Sequence, residues 1–217
     1  PYNAVNSPSN SVGITISVTG LNGGHSGMDI HKGLGNANKI MNRLLFGSQE
    51  FVRVSEINGG SLRNAIPRES VAKIVVDSKD FLNQLDDLAA EIKSEFFKSE
   101  PDLKIEVNNI DSITHGLSKI DSNEVVNAIY SVFNGVYKMS QSIVGLVETS
   151  SSLARVIVKD GVFETKSLQR SMLETGKDDI ATAIRFNFEH IGATVQQSGD
   201  YPGWAPNPGS PILKVLE

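Results

Sequence analysis

His25 stands in "GGHSG" (residues 23–27), between a strand-like run and a helix-like one, and its neighbours decide which chemistry is open to it. A nucleophile elbow requires G-x-S-x-G; Gly24 precedes Ser26, but Met28 stands where the second glycine belongs. A phosphate loop requires a lysine after its glycines, and none follows. The four histidines, His25, His31, His115 and His190, form no H-x-x-x-H, H-E-x-x-H or H-x-D pattern, so the spacing of a metal site is missing. His31 and His115 read as plain surface residues, and His190 falls in the last turn of a helix, where the dipole favours it. What is left for His25 is a side chain on a glycine-rich turn that lets another group come close. A functional histidine and an ordinary turn residue both fit that description.

Three further stretches carry polar or aromatic groups worth weighing. "GGSLRNAIPRES" (59–70) sets Asn64 ahead of Ile66-Pro67 between two strands, where its amide can bridge a donor and an acceptor or simply close a turn. Arg170, in "SLQRSM" at a strand end, is either solvated or shaped to grip a carboxylate with two parallel hydrogen bonds. "GDYPGWAPNPGSP" crowds prolines and glycines around Tyr201 and Trp204 and reads as a rigid linker or a hinge at a domain boundary.

The elements that must position these residues follow from hydrophobic periodicity. "SVGITISVTG" alternates Val12, Ile14, Ile16 and Val18 with small polar residues and predicts a strand with one buried face. "NANKIMNRLLFG" places Ala37, Ile40, Met41, Leu44 and Leu45 on one helical stripe, with Gly47 where a C-cap would be. "FVRVSEING" and "ESVAKIVVDS" read as strands joined through Gly59-Gly60. "KDFLNQLDDLAAEIKSEFFKS" spaces Phe81, Leu85, Leu88, Ile92 and Phe96 as a helix, and "LKIEVNNID" restores alternation. Beyond it, Asp121 with Glu124 predicts a capping box ahead of "VVNAIYSVFNG". Strands are expected at 143–149, 154–159 and 162–170; Thr175 and Asp178 open the helix "DIATAIRFNFEHIG", and "ATVQQSGDY" is the last strand.

The order is β-α-β-β-α-β followed by the same unit without its first strand. It predicts an α+β two-layer sandwich, a largely antiparallel sheet with helices on one face, built from two related halves. With 39% hydrophobic residues the chain can bury a real core. A net charge of −5 without a basic stripe argues against nucleic acid, and a small molecule or protein is the better partner. Without cysteine there is no disulfide or thiolate site, which fits a reducing, cytoplasmic setting. No window approaches the roughly 20 apolar residues of a membrane span, and the first residues lack the basic-then-apolar order of a signal peptide.

Taken in order, "GLNGGHSGMDIHKGLGNANKIMNRLL", "GGSLRNAIPRES", "LVETSSSLARV", "LQRSM" and "GDYPGWAPNPGSPIL" resemble the M20 zinc peptidases, in particular their aminoacyl-histidine dipeptidase branch. The resemblance runs from about residue 11 to the end and covers only the lid of that family. It implies a two-part enzyme in which a catalytic domain holds two zinc ions and an inserted lid covers the substrate. The family's zinc ligands and its general-base glutamate lie on segments before and after the lid, which have no counterpart in this sequence; the chain itself is expected to hold no metal. By the same resemblance, His25 stabilises the oxyanion, Asn64 binds substrate or intermediate, and Arg170 grips the dipeptide's C-terminal carboxylate. One position departs from the pattern: Ser152 stands where relatives commonly carry Asn. In many members the lid also mediates a homodimer, whereas here it looks doubled within one chain.

The opening at Pro1 without Met, and a last stretch that looks like the start of a helix, lead to the expectation of a segment cut from a longer protein. Residues 1–10 and 201–217 are then linkers to a catalytic domain, and 11–111 and 112–200 are the two lid halves. The expected function is the lid of a cytoplasmic zinc dipeptidase acting on Xaa-His dipeptides, inactive by itself. A stand-alone α+β binding or dimerisation module is the alternative.

Overall fold

The structure, a computed structural model, describes residues 1–8, 11–76, 81–111, 113–204 and 206–207. In chain order the first elements are β1 (Val5–Asn6), β2 (Val12–Thr19), β3 (Gly24–His25), a short 3-10 turn at Ile30–Lys32, α1 (Ala37–Gly47), β4 (Val52–Gly59), β5 (Ala65–Ile66), β6 (Ser70–Val76), α2 (Leu82–Glu95) and β7 (Lys104–Ile110). Then come β8 (His115–Gly116), α3 (Lys119–Ser131), β9 (Gly135–Met139), β10 (Val147–Lys159), β11 (Val162–Ser171) and α4 (Glu174–Glu189).

Seven strands form one sheet in the order β11-β10-β4-β6-β2-β7, with β9 also pairing β10. Every pairing within it is antiparallel. The four helices lie side by side over it: α4 covers β11 and β10, α3 covers β4, α1 crosses β2, β4, β6 and β10, and α2 covers β7. This is the two-layer α+β sandwich that the periodicity predicts. The alternation of β2 buries Ile14, Ile16 and Val18 against Ile40, Met41, Leu44 and Leu45 of α1, and the same cluster continues through Leu153 and Val156 of β10 to Ile180 and Phe188 of α4. Burial of that apolar surface, at about 25 cal/mol per Å², is the main force holding the layers together.

Polar side chains join the helices by reading main chain. Asn36 caps α1, its Oδ1 accepting from the Asn38 and Lys39 amides, while its Nδ2 donates to Leu153 O (3.0 Å) and Asn134 Oδ1 (2.9 Å). Lys39 Nζ donates to the carbonyls of Ile129, Tyr130 and Val132 at 2.8, 2.7 and 3.0 Å, satisfying the C-terminal end of α3. Asn42 Nδ2 reaches Val126 O (3.0 Å) on the same helix.

Several expectations from the sequence need correction. The strands expected at 143–149 and 154–159 are parts of one strand, β10: Ser150, Ser151 and Ser152 are small enough to be buried in the ladder, which absorbs its irregularity between Leu153 and Arg155. Residues 143–145, read as strand, are bend and turn. The second helix pair begins earlier than the Asp121–Glu124 box suggested. Ser118, in extended conformation, is the cap of α3, accepting from the Asp121 amide and donating to its carboxylate at 2.8 Å. That helix stops at Ser131, so "VFNG", read as its tail, lies beyond it, and Gly135 already opens β9. Similarly, α4 opens at Glu174, ahead of Thr175, with no side-chain cap.

The strand expected over 193–201 is absent among the described residues. A groove of about 960 Å³ separates this segment from the free edge of β11, so no ladder forms; instead Gln197 Nε2 donates to Ala181 O on α4 and Val195 packs on the core. The expected starts of the helix at Lys79 and ends of the strand at Asp77-Ser78 lie outside the described residues.

Asn36 satisfies two helix amides and ties α1 to β10 while itself almost fully buried. Asn36→Ala should therefore lower the unfolding free energy by about 2–3 kcal/mol, more than a cap alone, with the urea m-value unchanged. A loss below about 0.5 kcal/mol would show that the bridge to β10 contributes nothing.

Candidate functional site

β3 and β5 form a two-residue antiparallel pair, Gly24 opposite Ile66 and His25 opposite Ala65, and the Ser26 amide donates to Asn64 O at 2.9 Å. Asn64, far from His25 in sequence, thereby lies directly beside it. The turn after His25 is fixed by reciprocal bonds: His25 N donates to Asp29 Oδ2 (2.7 Å) and Asp29 N to His25 O (2.9 Å). Lys32, 2.7 Å from Asp29, and the His25 amide both hold that carboxyl below the ordinary aspartate range. Gly23, at φ +63 with Arg68 pressed against it, is the one glycine of the motif that needs the left-handed region.

The imidazole is oriented by main chain. His25 Nδ1 accepts from the amides of Gly27 (3.2 Å) and Met28 (3.1 Å), so Nδ1 carries a lone pair and the ring hydrogen of the neutral form resides on Nε2. Among the described residues Nε2 meets no hydrogen-bond partner. His25 is half-buried, and it presents an N–H donor with no internal acceptor.

Arg170 reaches the same place from the edge strand β11. It pairs with Ser150 in the β10–β11 register, and its Nη1 donates to Tyr201 Oη at 2.7 Å. Nε is buried without a partner, and no carboxylate neutralises the guanidinium among the described residues. Gly27 lies between the two groups: a Cβ there would come within 3.0 Å of Arg170 Cδ and Nε and 3.3 Å of His25 Cε1. The last glycine of "GGHSG" therefore serves close packing. A depression of about 210 Å³ opens beside it, lined by Gly27, Glu148, Arg170, Tyr201 and Trp204 among others. Glu148 is buried there and bonded to Lys138 at 2.9 Å.

The structure thus brings His25, Asn64 and Arg170 to one end of the sheet. Asn64 is exposed, and its side-chain amide is unpartnered among the described residues. Ser152 is fully buried with an unpartnered hydroxyl and does not line the depression. His31 falls in the 3-10 turn, His115 is exposed beside Thr114, and His190 follows the end of α4. Among the described residues no three His, Asp or Glu side chains gather where a metal ion could be held. No helix among them is long and apolar enough to cross a membrane.

Tyr201 was legible only as part of a linker. Its segment is tied to the start of α4 through Lys177, which bonds Asp200 (2.6 Å), Glu174 (2.8 Å) and Tyr201 O (2.8 Å). Asp200 and then Glu174 hold the Lys177 ammonium up to about 12. No local signal in "GDYPGW" reveals that its tyrosine meets an arginine 31 positions earlier.

Residues 16–104, from within β2 to the first residue of β7, match the M20 peptidase dimerisation domain, and this span contains His25 and Asn64. The likeness to two dipeptidases extends over nearly the whole chain. It is 36% identical over 206 residues to the cytosol non-specific dipeptidase of Escherichia coli (strain K12), covering 93% of this chain and 42% of that protein. The crystal structure of aminoacylhistidine dipeptidase from Vibrio alginolyticus superposes with a TM-score of 0.92 at 32% identity, over 99% of this chain and 45% of that one. The chain spans less than half the length of these relatives.

The hydrogen bonds to His25 make a spectroscopic prediction on this chain alone. In ¹⁵N-labelled protein above neutral pH, His25 should show a lone-pair-bearing Nδ1 and a protonated Nε2. The opposite tautomer would mean that the Gly27 and Met28 amides do not orient the ring.

Proposed function

We propose that this chain is the lid of a cytoplasmic, zinc-dependent aminoacyl-histidine dipeptidase that hydrolyses Xaa-His dipeptides. In this reading residues 11–111 and 112–200 are the two lid halves, 1–10 and 201–217 lead to a catalytic domain that holds the zinc, and the lid also serves a homodimer. The observation that carries the reading is the pair of unsatisfied donors at one end of the sheet: His25 Nε2–H, free of any partner among the described residues, and the guanidinium of Arg170, without a carboxylate, separated only by Gly27. Each needs an acceptor from outside the chain, and a dipeptide brings both: a carbonyl oxygen at the scissile bond and a terminal carboxylate close by.

The chemistry follows from charge. As a nucleophile adds to the peptide carbon, negative charge builds on the carbonyl oxygen. A neutral donor already aimed at that oxygen stabilises the transition state without reorganising, and is worth about 10² to 10³ in rate. His25 meets that requirement through the tautomer its own turn imposes. Arg170 binds the carboxylate in ground and transition states alike, and so acts on affinity. Asn64, with both amide groups free beside His25, can donate to the carbonyl and accept from the substrate. The names of the two relatives support a dipeptidase, and that of the Vibrio protein supports the histidine side.

Two measurements test this. The isolated chain with added zinc should show no turnover of an Xaa-His dipeptide above a zinc-only control; clear turnover would sink the assignment. In the intact protein, His25→Ala should lower kcat by roughly two to three orders of magnitude with bound metal unchanged. Loss of metal with the rate untouched would remove His25 from the oxyanion role.

A further inference from the structure

Tyr201 belongs to a segment that sequence alone assigns to a linker, yet its side chain is bonded to Arg170. Its Oη accepts from Arg170 Nη1 at 2.7 Å, and it lines the depression beside Gly27 together with Trp204. The segment is not draped there loosely. Lys177 binds the carboxylate of Asp200 on one side of Tyr201 and the carbonyl of Tyr201 itself, the amide of Gly203 donates to Glu174 Oε1, and Gly199 rests against the guanidinium of Arg63. Gly203 packs so closely on Met172 that a Cβ would come within 2.6 Å of its carbonyl oxygen. Residues 199–203 thus form a strap across the end of β11 and the first turn of α4, with the tyrosine fixed at its centre.

We propose that Tyr201 is a positioning residue for substrate carboxylate binding: its phenol oxygen fixes the guanidinium of Arg170 so that the remaining N–H edge faces the depression next to His25. This rests on the assignment of Arg170 to the substrate carboxylate. An arginine side chain has several rotatable bonds, and a carboxylate engaged by two parallel hydrogen bonds requires a planar fork in one orientation. Gly27 confines the Nε end, which is buried with no acceptor, and Tyr201 confines Nη1. With two of its three nitrogens held from opposite sides, the fork loses little freedom on binding, which is how a neutral hydroxyl can raise affinity without touching the substrate. Among the described residues the acids nearby are already paired: Asp200 with Lys177, and Glu148 with Lys138.

The experiment compares Tyr201→Phe, Arg170→Ala and the double variant in the intact protein, using an Xaa-His dipeptide and the same dipeptide with an amidated C-terminus. Tyr201→Phe keeps the ring and removes only the acceptor. It should raise KM for the free-acid substrate by roughly tenfold with kcat little changed, and leave the amide substrate unaffected. In the Arg170→Ala background, removing the phenol should have no further effect. An Arg170→Ala loss confined to the free acid, together with a silent Tyr201→Phe, overturns the positioning role and keeps the carboxylate assignment. If Arg170→Ala itself does not distinguish acid from amide, the underlying assignment fails. Equal losses on both substrates in Tyr201→Phe would reduce the tyrosine to a fastener of the strap and overturn the proposal.

Discussion

The short ladder between β10 and β4 sets the geometry of everything else. Val156, Ile157 and Val158 pair with Gly59, Asn58 and Ile57, and this contact turns two groups of strands into one sheet. Immediately beyond it the chain leaves β4 through Gly60, whose φ of +70 and close approach to Ala154 O admit no side chain, and Arg155 donates from its guanidinium to Gly60 O. That corner launches residues 61–66, hence Asn64 and, through the β3–β5 pair, His25. On the other side of β10 the register opposite β11 fixes Arg170. The distance between histidine and arginine is thus decided by one strand held from both edges.

The histidine is aimed by a means that differs from a carboxylate partner. A carboxylate at Nδ1 would accept a hydrogen bond from Nδ1–H and so favour the charged ring, whereas two backbone amides donate to Nδ1 and leave the ring hydrogen on Nε2. Asp29, the acid closest in sequence, is spent on Lys32 and on the His25 main chain. The turn therefore aims the Nε2 edge of the ring through main-chain bonds, and Gly27 leaves room for the guanidinium beside it.

What could be read in the sequence divides along the range of the interactions involved. The alternation of β2 and the helical stripe of α1 are local patterns of burial, and both elements stand where expected. His25, Asn64 and Arg170 could be named from residue type and from motif order, but their convergence depends on strand pairings between distant segments. The run Ser150–Ser152 looked like a break because small hydroxyls are common in turns; inside a crowded sheet their size is what lets the strand continue. Residues 193–201 carry a strand-like alternation but stand off from the edge of β11 across a groove, which no local pattern records. Tyr201 looked like linker because its neighbours are linker residues, and its bond to Arg170 exists only once α4 has returned the chain to the end of β11.

Lys39 and Asn42 on α1 donate to four carbonyls of α3 and the residue after it. Such a joint recognises the path of a backbone and ignores the side chains strung along it. The exposed face of α3 is consequently free to drift: replacements there leave the acceptors in place so long as the helix ends where it does. An insertion that moved its last turn would strand a lysine ammonium among apolar neighbours. The joint tolerates change in letters and forbids change in length, and in related chains the number of residues between Ser118 and Val132 should vary far less than their identities.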